Sequence, residues 1–244
     1  MRYVREILLL AALMSISALF VAGMPTGPDT LDIIANARMT DMATKNTEAL
    51  AGNVTELDFT GRTVTRYWQG YYGNVSGNIV LSDANNNSLY RWIDVDPVGE
   101  VYASRWSDIN WSNVRCMSQE EAINEDIYYL GLNETSDLDS VNNTFIYNTY
   151  RSFYTGFLNF TTGSCKSTSI NDTGIATIFN EVLQVDPQPG VNKTIFTSIM
   201  DQNLAGFDGE RHDFQMMVTE PGSGNETYPA GTTTTYYFWL ELGN

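Results

Sequence analysis

The sequence predicts an all-β fold: an antiparallel β-sandwich, Ig-like or jelly-roll-like, with one short helix near residues 119–130 and an N-terminal leader. Three observations lead there. Runs rich in β-branched and aromatic residues recur along most of the chain. Clusters of Asn, Asp, Gly and Pro separate them at short intervals. No heptad or fixed-period repeat competes with that pattern. The 244 residues admit one large all-β domain, and 43% apolar with 12% aromatic content is enough for a sizeable core.

The elements are taken in chain order. Arg2 and Arg5 precede an apolar run from Ile7 to Val21, and Val21-Ala22-Gly23 supplies small residues after it. This is the pattern of a secretory signal peptide over residues 1–23. The run, about 15 residues, falls short of the roughly 20 that cross a bilayer. The alternative is a retained anchor or pilin-type packing helix, which Pro25, Gly27 and Pro28 would break early. Residues 24–50 are poor in aromatics and form an arm or linker. Within it Asp29 or Thr30 caps a short helix carrying Leu31, Ile34, Arg38 and Met42 at helical spacing.

Residues 51–244 make a single β-sandwich domain. Thr63 to Trp68 reads as its first strand, and Gly70, Gly73 and Gly77 punctuate the aromatic run that continues it. Asn78 to Leu81 and Leu89 to Ile93 flank the turn Ser82-Asp83-Ala84-Asn85-Asn86-Asn87-Ser88 as a hairpin. Val101 to Ser104 is a short strand. Ser118 and Glu121 form a capping box, Ala122, Ile123, Ile127 and Leu130 keep helical period, and Gly131 caps the end. Strands then return at Thr144 to Asn148, Phe153 to Phe160, Ile175 to Val185, Thr194 to Met200, Phe214 to Thr219 and Thr233 to Leu242. Asp186-Pro187-Gln188-Pro189-Gly190 and Asp208-Gly209-Glu210 are among the turns between them.

Export makes two demands on the body. Cys116 and Cys165 are its only cysteines, so one disulfide is the natural pairing; two buried thiols are the alternative. Ten of 22 asparagines open an Asn-x-Ser/Thr triplet: Asn53, Asn74, Asn86, Asn110, Asn133, Asn142, Asn159, Asn171, Asn192 and Asn225. Chance placement of the 43 Ser and Thr residues would give about four. The excess marks glycosylation acceptors on an exposed surface.

Charge and motif content exclude several classes of function. A net charge of −16 repels phosphate, which argues against nucleic acid and anionic membranes as partners. The one histidine, His212, sits in a polar turn without a Gly-x-Ser-x-Gly elbow, and reads as a solvated loop residue. Acidic pairs such as Asp94 and Asp96, or Asp137 and Asp139, have nothing to distinguish them as a glycosidase pair. No cofactor is expected. A weak calcium candidate is Asp83, Asn85 and Asn87 with Asp94, but Ser88 stands where such a loop needs glycine. A plain hairpin turn explains it better. Tyr67, Trp68, Tyr71 and Tyr72 form an aromatic cluster, read as core or subunit interface ahead of a sugar-stacking platform.

The stretch Tyr67-Trp68-Gln69-Gly70-Tyr71-Tyr72-Gly73-Asn74-Val75-Ser76-Gly77-Asn78-Ile79-Val80-Leu81 resembles a recurring segment of exported archaeal cell-surface β-proteins. Their pattern is Trp-x-Gly-aromatic-aromatic-Gly-Asn-Val-Ser/Thr-Gly, then an apolar strand and an Asp/Asn-rich turn. Gly99-Glu100-Val101-Tyr102-Ala103-Ser104 is similar to the same group's next motif. The likeness covers roughly residues 51–116. It implies an exported, N-glycosylated archaeal surface protein and carries no catalytic residues with it.

Together these readings lead to the expectation of a non-enzymatic, secreted, N-glycosylated structural subunit. It would belong to an extracellular filament, pilus-like fibre or surface layer. Its partners would be other copies of itself and its N-linked glycans, and assembly would use β-strand addition by residues 24–50 or by Thr233 to Leu242. The alternative is a monomeric carbohydrate-binding or adhesin module of the cell surface.

Overall fold

The computed structural model describes residues 24–40, 42–92, 98–133, 137–171, 177–221 and 233–243. The predicted leader 1–23 lies outside them, as do Asp94, Asp96 and Asn225. Strands β1 (Trp68–Gly73), β2 (Ile79–Ser82), β3 (Ser88–Trp92), β4 (Val98–Ser104) and β5 (Arg115–Cys116) come first. Helix α1 (Gln119–Asn124) runs directly into a π-helical segment, Glu125–Leu130, and the single turn α2 (Val141–Thr144) comes after it. Then come β6 (Phe153–Thr155), β7 (Leu158–Phe160), β8 (Ser167–Ser169), β9 (Asn180–Gln188), β10 (Val191–Ile199), β11 (Leu204–Ala205), β12 (Arg211–His212), β13 (Phe214–Thr219) and β14 (Tyr237–Gly243). The strand pairs are antiparallel throughout.

The centre is a six-stranded sheet in the order β14-β4-β10-β9-β5, with β8 also paired to β9. Side chains alternate across it. Val101, Ala103, Leu183, Val185 and Phe196 face one side, where Met216, Val218, Ala122, Leu130, Val141 and Phe145 cover them. That layer is the β1–β13 ribbon together with the helical segments. Tyr102, Val182, Ile195 and Ile199 face the other side, under Trp111, Tyr150, Phe153 and Phe160. The chain is thus an all-β antiparallel sandwich whose central sheet is packed on both faces. β9 and β10 are accordingly buried along most of their length rather than at every second residue. A sheet with one wet face would show alternation instead.

The helix forms where its caps require. The Ser118 side chain accepts the Glu121 N–H, and the Glu121 carboxylate accepts the Ser118 N–H. Gly131, at φ +67°, ends the segment in the left-handed region. The buried Asp126 carboxylate accepts the N–H groups of Val141 and Asn142 at 2.6 and 2.9 Å, which orients α2.

Several expected elements are corrected. No helix succeeds Asp29 among described residues 29–40, because Leu31 and Ile34 find no surface to pack on, and a short helix without packing is marginal in water. The first strand starts at Trp68, not Thr63, since only from there does β13 supply a partner. Residues 144–148 are not a strand: Ser140 caps α2, and Tyr147 makes an isolated bridge to Ser167. β9 runs on through Asp186-Pro187-Gln188, so the turn shrinks to Pro189-Gly190, with Gly190 at φ +83°.

Candidate assembly edge and the predicted sites

β14 borders the central sheet. Phe238, Leu240 and Leu242 pack on the first core face and Trp239 on the second, so the strand is held on both sides. It pairs with β4 in the register Trp239↔Tyr102 and Glu241↔Glu100. Leu240 turns its backbone outward, where it meets Thr26. The Thr26 N–H donates to Leu240 O at 3.1 Å, and the Leu240 N–H donates to Thr26 O at 2.8 Å. Alternate residues of a strand aim their N–H and C=O the same way, so Phe238 and Leu242 also present theirs outward. Among the described residues no backbone group pairs with them. Pro28 falls opposite Phe238 in this register and has no N–H to give, so the short ladder cannot lengthen there. Pro25 is buried, and the Met24 sulfur lies over Gly156, 2.7 Å from where a Cβ would be. Gly99 is equally confined, because a Cβ on it would collide with the carbonyl group of Glu241.

Beneath this edge lie two buried carboxyl groups, Glu100 and Glu241, directly opposed on adjacent strands. Glu241 accepts the Tyr102 hydroxyl at 2.8 Å and the Gly156 N–H at 3.0 and 3.1 Å. Burial pushes Glu100 up to about 8; Arg151 opposes this shift and Glu241 adds to it. Burial likewise raises Glu241 to about 6, against the pull of its bonds to Gly156 and Tyr102. The Tyr102 phenol is driven well up by burial and by the same two carboxyls. Arg151 itself donates to the Met200 carbonyl at 2.7 Å. The arrangement therefore favours one retained proton at neutral pH, held on Glu100, while Glu241 accepts its bonds and ties the β6–β7 turn to the edge strand. Nothing in the sequence pattern singles these residues out as a site. The one signal present is a lone Glu inside each of two apolar runs, Val98 to Ala103 and Phe238 to Leu242.

Upstream of the folded body, every described residue from 29 to 63 is exposed. The segment holds one turn, closed by the Asn53 N–H on Leu50 O. It carries Leu31, Ile33, Ile34, Leu50, Val54, Leu57 and Phe59, all solvent-exposed. The chain joins the body at Thr65, whose hydroxyl donates to Asp139 at 2.7 Å.

The other expected sites take these positions. Cys116 and Cys165 are joined by a disulfide with a Cα–Cα distance of 4.9 Å. It fastens β5, at the base of α1, to the segment before β8. Of the triplet asparagines, Asn53, Asn74, Asn86, Asn110, Asn133, Asn159 and Asn192 are exposed. Asn142 and Asn171 are half-buried. A side-chain oxygen of Asn142 is sealed from solvent, and the Asn171 amide donates to the Ser169 hydroxyl at 2.7 Å.

Asp83 directs its carboxylate into its own turn. One oxygen accepts the N–H groups of Asn85 and Asn87, and the other accepts the Asn87 side chain. Asn86 supplies the left-handed turn residue at φ +63°. Among the described residues no group of three or more His, Cys, Asp or Glu is gathered for a metal. The aromatic cluster divides. Tyr67, Trp68 and Tyr71 pack against the core, and the Trp68 indole donates to Asp139 O at 2.6 Å. Only Tyr72 is exposed, at 46%, against the 61%-exposed Phe207 with ring centroids 4.7 Å apart.

His212 is corrected: it is 8% exposed rather than solvated, bonded to the Asp208 carboxylate at 2.9 Å and packed on Tyr72. The polar turn around it hid this, because β12 folds the ring inward against Gly206. Among the described residues no helix is long and apolar enough to cross a membrane. Comparison with protein families, curated proteins and solved structures finds no match to this chain.

Proposed function

We propose that the chain is a secreted, N-glycosylated, non-enzymatic structural subunit of an extracellular filament, pilus-like fibre or surface layer. It assembles by β-strand addition between subunits. One observation carries this reading: a border strand with outward backbone groups at Phe238 and Leu242 coexists with a long stretch, 29–63, whose described residues are all exposed. Unpaired strand edges recruit further strands, and exposed apolar segments gain by burial in a partner. Because β14 is built into its own sheet, it serves as acceptor, and the N-terminal arm as donor. Seven exposed asparagine triplets and one disulfide fit an exported body. The resemblance to archaeal cell-surface proteins over residues 51–116 points the same way.

Electron microscopy of the purified chain tests the reading, beside a variant lacking residues 24–50. Filaments or sheets are expected from the full chain and not from the variant. A strictly monomeric full chain at high concentration overturns it. A second reading, a monomeric carbohydrate-binding or adhesin module, rests on the exposed Tyr72–Phe207 pair. Glycan-array binding abolished by Tyr72→Ala or Phe207→Ala would favour that module instead.

A further inference from the structure

We propose that Met24–Thr26 is an exchangeable anchor, seated on the β14 edge of a second copy of this chain in the same register it holds on its own. This rests on the assembly reading and specifies its contact: which three residues dock, where, and against what.

The seat is built on three sides. Thr26 and Leu240 exchange both backbone hydrogen bonds, Pro25 is buried, and Met24 lies over Gly156. Gly156 has φ +59° and no side chain to contest the methionine. The ladder ends at once, because Pro28 stands where the next donor to Phe238 would be needed. The anchor is therefore short and separable from the chain after it.

The link between anchor and body does not hold the two together. Described residues 29–63 are exposed throughout, up to the first tie at Thr65. A link of this length reaches up to about 120 Å when extended. Seating the anchor on its own edge or on a neighbour's uses the same atoms, so the contact energies are equal. The choice between them falls to effective concentration, which drops as the link lengthens, so that intramolecular closure prevails in dilute solution and exchange gains as the chain is concentrated. A second copy adds a further gain. Ile33, Ile34, Val54, Leu57 and Phe59 are left wet in the lone chain, and a crossing link lays them against another subunit. Exchange of an identical element between protomers is an inexpensive route to association, and a head-to-tail exchange stays open-ended.

Cysteine pairing across the bridge distinguishes the two closures. Hydrogen-bonded antiparallel partners sit about 5.5 Å apart at Cα, within disulfide reach. The native cysteines are already paired with each other, so introduced thiols meet only one another. Thr26→Cys and Leu240→Cys chains, one of them tagged, are mixed under assembling conditions and mildly oxidised. A mixed disulfide-linked dimer is expected, and the double variant should give a reducible ladder of multimers on a non-reducing gel. Polymers in which the double variant carries only an intrachain cross-link overturn the exchange while leaving strand addition standing. An intrachain cross-link in a protein that never polymerises overturns both. Should Leu240→Cys fold poorly, a photo-crosslinking side chain at the exposed Thr26 alone, read out as a link within one chain or to a tagged second copy, gives the same two outcomes.

Discussion

Gly99 governs how closely β14 can lie on β4. Its Cβ position is taken by the Glu241 carbonyl group, and its φ of +143° suits no L side chain. Gly99→Ala is expected to cost at least about 2 kcal/mol, because backbone rather than a side-chain tip must yield. A thermal melt showing an unchanged midpoint would contradict that account. Its neighbour Glu100 contributes to the pH response, alongside Glu181, whose carboxyl burial also raises well above the usual carboxylate range. Glu100 and Glu241 are raised from 4.5 to about 8 and about 6, so the folded chain holds protons that the unfolded chain has released. Where the native state binds more protons, stability falls as pH rises. Their contribution is therefore full below about pH 4 and is lost as pH climbs through about 6 and then about 8. Glu100→Gln should raise the melting temperature at pH 9 and leave it nearly unchanged at pH 5. Parallel pH profiles for variant and parent would exclude Glu100 as the cause. The pair is illegible in the sequence because a carboxyl in a strand reads as solvent-facing until the far layer is known. Here Thr155, Gly156 and Tyr102 close over it.

Two elements are legible from the chain's own letters, and each has a local cause. Ser118 and Glu121 satisfy one another's backbone donors without tertiary help, so their spacing alone locates α1. The turn from Ser82 to Ser88 is equally legible, because Asp83 and Asn86 close it through their own backbone neighbours. Strands with a long run of their own are legible as well, Phe214 to Thr219 matching β13, but very short elements whose existence depends on a partner are not. β5 and β8 are two and three residues long and persist because both pair, one after the other, along the edge of β9 that β10 leaves free. Trp68 begins β1 because Thr219 is opposite it, which no local propensity records. The disulfide acts at this scale too. It closes a separation of 49 residues between β5 and the approach to β8. Cys116→Ser with Cys165→Ser is expected to lose about 4 kcal/mol, lowering the melting temperature by roughly 10 °C. Calorimetry of the double variant checks this, and a fall of only a degree or two would show the loop is restrained by its packing alone.

For the whole molecule, composition and punctuation suffice for an antiparallel sandwich, since both are averages over many strands. The double burial of the central sheet is harder to read. It shows as long uninterrupted buried runs in β9 and β10, which sequence alone cannot separate from any apolar stretch. Surface chemistry likewise emerges only from the assembled fold. On the proposed exported reading, mass spectrometry of native material should find glycans among the seven exposed triplet asparagines and none at Asn142 or Asn171. Occupancy at either half-buried site would require α2, or the strand end at Ser169, to open during modification. The unpacked stretch ahead of Thr65 has a mechanical consequence as well. With Met24–Thr26 seated on a neighbour, as proposed, tension on that anchor meets only the entropy of the unpacked stretch until it is nearly taut. On that proposal the sheets behind it feel little force over the first tens of ångströms of extension, and the body is sprung against shocks transmitted by its neighbours.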